Sequence, residues 1–132
     1  LMANLLQGVV DEGTGRRLRF RYGFKNQIGG KTGTTQNHSD GWFIGITPDL
    51  AGGVWVGAED RSIHFQNLAN GQGASMALPI WALFMQKVYA DKSLAVPQGD
   101  FQKPNGVNHV LDCGDADREG MTDYDSSDEI FD

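Results

Sequence analysis

At 132 residues, with 39% hydrophobic side chains including three Trp and seven Phe, the chain has the length of one domain or part of one. It also has enough apolar material to exclude disorder throughout. No apolar run approaches the ~20 residues needed to span a bilayer. The net charge of −6 is uneven: residues 112–132 hold nine acids and one Arg, whereas residues 1–111 hold eight acids and ten bases, so a nearly neutral body gives no electrostatic ground for binding nucleic acid.

Leu1, Met2, Leu5, Leu6, Val9 and Val10 recur at helical spacing and predict an opening helix over residues 1–10. No capping residue precedes them, so the sequence is expected to open inside an element, as a piece of a longer chain would; a frayed native start is the other reading. Gly13 and Gly15 predict the turn that ends this helix. Residues 17–22 alternate basic and apolar side chains, which fits an edge strand with arginines in solvent, a loop or a helical turn.

Three strands are predicted next, over residues 28–35, 40–47 and 53–57. In the second, Trp42, Ile44 and Ile46 share one face, and Phe43 and Thr47 the other. The third is apolar on both faces and is expected to be buried on both. Short polar or turn-forming connections, including Pro48-Asp49, predict an antiparallel meander. Residues 58–73 read as a polar loop ending in Gly71-Gln72-Gly73, too short of glycine for a nucleotide fingerprint. Leu78, Trp81, Met85, Val88 and Tyr89 then predict a helix over residues 75–91 with Pro79 in its first turn. Trp42, Trp55 and Trp81 are expected in the core. The fold class is therefore α+β, an antiparallel sheet with flanking helices.

The chemistry is concentrated in Lys31-Thr32-Gly33-Thr34-Thr35. A strand edge lets an extended peptide add to the sheet through backbone hydrogen bonds. Lys31 offers a cation to a carboxylate, the Thr32 and Thr34 hydroxyls offer donors, and Gly33 keeps side-chain bulk away. The Thr34 N–H can serve a developing oxyanion, a role worth ~3 kcal/mol. The plain alternative is an ordinary strand with an exposed lysine and threonines chosen for β propensity.

The Lys-Thr-Gly triplet is one of the active-site motifs of penicillin-binding proteins and β-lactamases, and its surroundings extend the match. Leu6-Gln7-Gly8-Val9-Val10, Gly13-Thr14-Gly15, Gly30 to Thr35, Asp40-Gly41-Trp42-Phe43-Ile44-Gly45, Val54-Trp55-Val56-Gly57 and Pro79-Ile80-Trp81 stand in the order seen there. Residues 1–91 resemble the end of a class A, bifunctional penicillin-binding protein, and Glu59 to Phe65 resembles the Bacteroidetes kind. The resemblance implies a partial transpeptidase domain over 1–96; composition predicts an irregular extension over 97–111, where the apolar signal fades, and an acidic, disordered tail over 112–132. The resemblance favours a turn or short helix over a strand at residues 17–22.

The resemblance further implies that Lys31, Thr32, Gly33 and Thr34 bind the carboxylate of a peptidoglycan stem peptide or β-lactam, with the Thr34 N–H in the oxyanion hole. No cofactor is expected. The implied partners are the upstream part of the same domain and other cell-wall synthesis proteins, and the implied location is the bacterial periplasm, anchored through a segment outside this sequence.

The match lacks one part. Ser39, Ser62, Ser75, Ser93, Ser126 and Ser127 are followed three residues on by Trp42, Phe65, Leu78, Val96, Glu129 and Ile130, so no Ser-x-x-Lys occurs, nor any Ser-x-Asn. The nucleophile is expected upstream, and these 132 residues alone are expected to be inert. A β-lactamase or carboxypeptidase of the same fold, a non-catalytic cell-wall peptide-binding module and a scaffold with a recruiting acidic tail are the other readings.

The remaining residues offer less. His38, His64 and His109 follow no zinc spacing. His38 either faces the cleft or sits on a surface loop. Cys113 has no neighbour that would activate it.

Overall fold

The first helix, α1 (Met2–Asp11), forms as the apolar spacing predicts. It ends where the Gly13 N–H and the Glu12 N–H both donate to Gly8 O, at 3.1 and 3.0 Å. These positions come from a computed structural model that describes residues 1–105. Within it, Leu1–Gln102 makes one compact unit. The expected extension over 97–111 is described only in part, and the expected acidic tail over 112–132 lies outside the described residues.

Residues 17–20 are helical, not a strand: α2 (Arg17–Phe20) follows a tight turn. Helical geometry carries Leu18 into the core and lets two arginines act on carbonyls. Arg17 Nη1 donates to Ala74 O at 3.0 Å. Arg19 Nη1 donates to Phe24 O at 3.0 Å and Asn26 O at 2.6 Å, while its Nη2 pairs with Asp11 at 2.6 Å. Arg17 and Arg19 thus serve carbonyls that need donors, whereas Arg21 lies over the Tyr22 ring and Phe20 is exposed.

The sheet has three antiparallel strands in the order β1 (Gly29–Thr34), β2 (Asp40–Ile46) and β3 (Ala51–Gly57). The register sets Thr34 opposite Gly41, Thr32 opposite Phe43 and Trp42 opposite Trp55. A short turn of 3-10 helix, Gln36–His38, joins β1 to β2. After β3 the chain runs irregularly to α3 (Leu68–Gly71), capped by Asn67 Oδ1 accepting from the Asn70 N–H at 3.0 Å. A polar loop is the expectation here, and the single-turn helix is the addition.

The long helix α4 spans Gly73–Ala90 and packs on one face of the sheet. Trp81 is its anchor, 1% exposed. The Trp81 ring meets Phe43 edge-on with centroids 5.3 Å apart, and its Nε1 donates to Gly52 O at 3.1 Å. Gly45 lies directly under the indole, where a Cβ would collide with the ring. Val10, Leu18, Ile28, Leu78 and Met85 complete this core. No helix of the described residues is long and apolar enough to cross a membrane.

Three expectations need correction. Pro79 lies inside α4 rather than in its first turn, because the helix begins at Gly73. β3 is not buried on both faces, and Trp42 and Trp55 are not core: they are 45% and 47% exposed. The reason is the same for the strand and the two rings. α4 covers the Phe43 face; on the other face α1 reaches the Gly29–Ile46 end through Leu6, and Trp42, Ile44 and Trp55 stay exposed. The fold is otherwise the α+β arrangement that the pattern predicts, and it is compatible with part of a penicillin-binding transpeptidase.

Candidate functional site

Lys31, Thr32, Gly33 and Thr34 lie on β1, at the edge of the sheet. Strand alternation places Thr32 and Thr34 on the face shared with Phe43 and Gly41, and Lys31 and Gly33 on the face shared with Ile44 and Trp42. The lysine nevertheless reaches back to the edge, where Nζ donates to Thr32 O at 2.7 Å. The cation therefore sits at the backbone edge beside Thr32, while the two threonine side chains lie on the α4 face.

The ladder fixes which backbone groups point outward. The Thr35 N–H donates to Asp40 O at 3.1 Å, immediately beyond β1. In an antiparallel pair, bonded and non-bonded positions alternate. Thr34–Gly41 and Thr32–Phe43 are then the non-bonded pairs, and the N–H groups of Thr34 and Thr32 face away from β2. No further strand pairs with that edge of β1 among the described residues.

The two hydroxyls are held from inside. Thr34 Oγ1 accepts from the Gly73 N–H, the first of α4, at 3.1 Å. Its own hydroxyl hydrogen remains available as a donor. Thr32 Oγ1 lies 2.8 Å from Thr14 Oγ1, which ties the strand to the turn after α1. Thr14 stands within the Gly13-Thr14-Gly15 turn, and its partnership with Thr32 leaves no periodic signal in the sequence.

A second cluster closes the end of β1. Asp40 Oδ1 accepts from Trp55 Nε1 at 3.0 Å. Asp40 Oδ2 accepts from Thr35 Oγ1 and from Ser39 Oγ, each at 3.1 Å. The Asp40 N–H donates to Thr35 Oγ1 at 3.0 Å. The Trp55 hydrogen bond holds the Asp40 carboxyl below its ordinary value; desolvation opposes this, and Thr35, Ser39 and the charge of Arg61 support it. Sequence reasoning placed Trp55 in the core and Asp40 only within the matching stretch, and it missed their pairing because that depends on the β2–β3 register.

His38 does not fit either placement expected of it. It is half-buried, adopts a left-handed φ of 55° beside Asn37 at 65°, and packs its Cβ against Gly71. Its carbonyl accepts from the Phe65 N–H at 3.3 Å, and its Nδ1 is buried without a partner. Ser39, Met76, Val56, Ile63 and Phe65 help line a cavity of about 250 Å³ beyond this turn. Among the described residues, no three His, Cys, Asp or Glu side chains are grouped to hold a metal ion.

No family model matches the chain. It is 38% identical over 109 residues to penicillin-binding protein 1A of Pseudomonas aeruginosa, an alignment covering 81% of this chain and 12% of that protein. It is 36% identical over 101 residues to penicillin-binding protein 1A of Aquifex aeolicus, covering 76% of this chain and 12% of the relative. The protein of the same name in Rickettsia bellii is 37% identical over 107 residues, 80% of this chain and 12% of its own length. Over about four-fifths of its length the chain is thus similar to penicillin-binding proteins 1A. It spans about an eighth of these relatives.

Proposed function

We propose that the chain is a segment of a class A penicillin-binding protein, a peptidoglycan DD-transpeptidase, and that it supplies the strand that holds the substrate carboxylate. The observation that carries this is the edge of β1 that pairs with no strand among the described residues, along which the Thr34 N–H faces outward and Lys31 Nζ is held at Thr32 O. Similarity to penicillin-binding proteins 1A over four-fifths of the chain supports it independently.

In this proposal a stem peptide, or a β-lactam in its place, lies extended along β1. Lys31 attracts its carboxylate, and Thr32 and Thr34 donate hydroxyl hydrogens to it. Gly33 leaves room for the peptide backbone. A serine outside these 132 residues bonds through its oxygen to the substrate carbonyl carbon. The carbonyl oxygen takes up negative charge beside the Thr34 N–H. The C–N bond then breaks with a proton passing to the leaving amine, and a second amine later displaces the serine oxygen to form the cross-link. The whole protein would act on the periplasmic side of a bacterial membrane with other cell-wall synthesis proteins. The likeness of residues 59–65 to Bacteroidetes proteins belongs to the same proposal.

Timed covalent labelling of the whole protein with a fluorescent penicillin tests it. Charge-assisted hydrogen bonds contribute about 1.5–3 kcal/mol, so Lys31→Ala should slow labelling roughly 10- to 150-fold. Lys31→Arg, with the charge kept but the geometry altered, should restore part of the rate. Equal rates for Lys31→Ala and the unaltered protein would remove Lys31 from the site. The 132-residue chain should form no serine ester, and an ester on it would show that the nucleophile lies within.

A further inference from the structure

Asp40 is the first residue of β2 and lies outside the Lys-Thr-Gly motif, yet the strongest polar cluster near the site converges on it. Its carboxylate receives Trp55 Nε1, Thr35 Oγ1 and Ser39 Oγ, and its backbone exchanges bonds with Thr35. The turn it closes is unfavourable on its own. Asn37 and His38 are consecutive non-glycine residues in the left-handed region, a conformation that persists only where the surroundings over-determine it. The Asp40 carboxylate supplies that constraint from both sides: Thr35 before the turn, Ser39 within it, and Trp55 from β3.

The consequence reaches one residue back. The Thr35 N–H to Asp40 O bond continues the phase of the ladder past the end of β1 and holds Thr34 in it, with the Thr34 N–H outward. Gly33 and Gly41 bring no side chains to that end, where the strands are held by their backbone pairing, by Gly73 of α4 and by the Asp40 cluster. We infer that Asp40 is a positioning residue, which acts through Thr35 and Trp55 to aim the Thr34 N–H at the reacting carbonyl oxygen. This rests on the function proposed above, in which that N–H serves the oxyanion.

The inference differs from a general structural role in which kinetic step it touches. An oxyanion donor works on charge that develops in the transition state, whereas carboxylate binding by Lys31 and the threonines already operates in the ground state. In the whole protein, Asp40→Ala should therefore slow the acylation step by penicillin at least about 10-fold, short of the ~10²–10³ known for complete loss of an oxyanion donor. The dissociation constant of the initial non-covalent complex should stay within about twofold. Asp40→Asn keeps an oxygen for Trp55 Nε1 and an amide that can donate to the Thr35 and Ser39 hydroxyls, so it should recover most of the lost rate. Trp55→Phe removes one donor from an exposed position two strands away from the substrate edge and should give an intermediate slowing, again without weaker binding.

An acylation step at the unaltered rate in Asp40→Ala would overturn the inference. So would parallel losses of binding and rate, or an Asn variant no better than Ala. If Asp40→Ala does not fold, Trp55→Phe decides: slower acylation with unchanged binding supports the inference, and an unchanged rate overturns it. Lys31→Ala, measured alongside, separates the two levels. If it slows labelling while the Asp40 and Trp55 variants do not, the positioning role fails and the substrate strand stands. If Lys31→Ala has no effect, the substrate strand itself fails.

Discussion

The Gly73 N–H donates to Thr34 Oγ1 across 39 residues of sequence, at 3.1 Å. The first residue of the long helix thereby touches the end of the strand proposed to hold substrate. The contact is close because Gly73 has no side chain: a Cβ there would collide with the carbonyl oxygens of Trp42 and Gly33. Both are backbone atoms in a paired ladder and cannot swing aside. Gly73→Ala should therefore cost about 1–3 kcal/mol, as overpacking does, and lower the melting temperature by several degrees. A melting temperature equal to that of the unaltered chain would show that α4 does not seat on the sheet in this way.

The three tryptophans separate by layer. Trp81→Ala removes an almost wholly buried ring that lies against Phe43 and Gly45, and it should destabilise by about 3–5 kcal/mol. Trp42→Ala removes a ring that is nearly half exposed and should cost far less, ~1 kcal/mol or below. Chemical denaturation of both variants checks the ordering. Equal losses would mean that the Trp42 face is covered as well as the Trp81 face.

The Asp40 cluster should respond to acid in a defined direction. Its carboxyl is held below the ordinary 3.8, first by the Trp55 hydrogen bond. A group with a depressed folded pKa contributes stability that is fully present above the unfolded value and is lost as pH falls through the lowered folded value. The Trp55 indole N–H resonance should therefore hold steady down to about pH 4 and shift only below the ordinary carboxyl value. In Asp40→Asn that acid shift should vanish. A Trp55 resonance that moves between pH 5 and 7 would point to another partner for the indole.

One apolar sheet face is covered only in part among the described residues, by α1 at its Gly29–Ile46 end. Trp42, Ile44 and Trp55 are exposed on it, with the Trp42 and Trp55 ring centroids 6.4 Å apart. Contiguous apolar surface of this kind favours association. The 132-residue chain should self-associate at high concentration, and Trp42→Ser with Ile44→Thr should reduce this without lowering the melting temperature by more than a few degrees. Sedimentation equilibrium reads the result, and a strict monomer before substitution would argue against an uncovered face.

Periodicity in the sequence was enough to place α1, the three strands, their antiparallel order and most of α4, because each is amphipathic or bounded by turn residues. The same reasoning buried Trp42 and Trp55, since hydropathy cannot say how many layers cover a sheet. It also started α4 two residues late, because Gly73 and Ala74 are small where the helix meets the strand backbone and so carry no apolar signal. The Lys-Thr-Gly strand was legible as a motif. Its supports were not: Thr14 with Thr32, Gly73 with Thr34, and Trp55 with Asp40 are pairs made by tertiary register across 15 or more positions of chain.

Thr34 offers two separable groups, a hydroxyl and a backbone N–H, and substitution of its side chain should divide them. The hydroxyl accepts from Gly73, whereas the N–H proposed for the oxyanion belongs to the backbone. Thr34→Val keeps the shape and the N–H but leaves the Gly73 N–H without its acceptor, an unsatisfied donor at the start of α4. For a part-buried group this should cost about 1 kcal/mol. Thr34→Ser keeps the hydroxyl and should cost only a few tenths, from lost β propensity. In the whole protein, Thr34→Val should also weaken initial binding of a β-lactam, since one donor to its carboxylate is gone, while slowing the acylation step less than Asp40→Ala does. Thermal melts of the two Thr34 variants read the first effect, and timed penicillin labelling across ligand concentrations reads the second. If valine and serine prove equally stable, the Gly73 contact contributes nothing; if valine slows acylation as much as Asp40→Ala with binding intact, the hydroxyl rather than the backbone N–H serves the oxyanion.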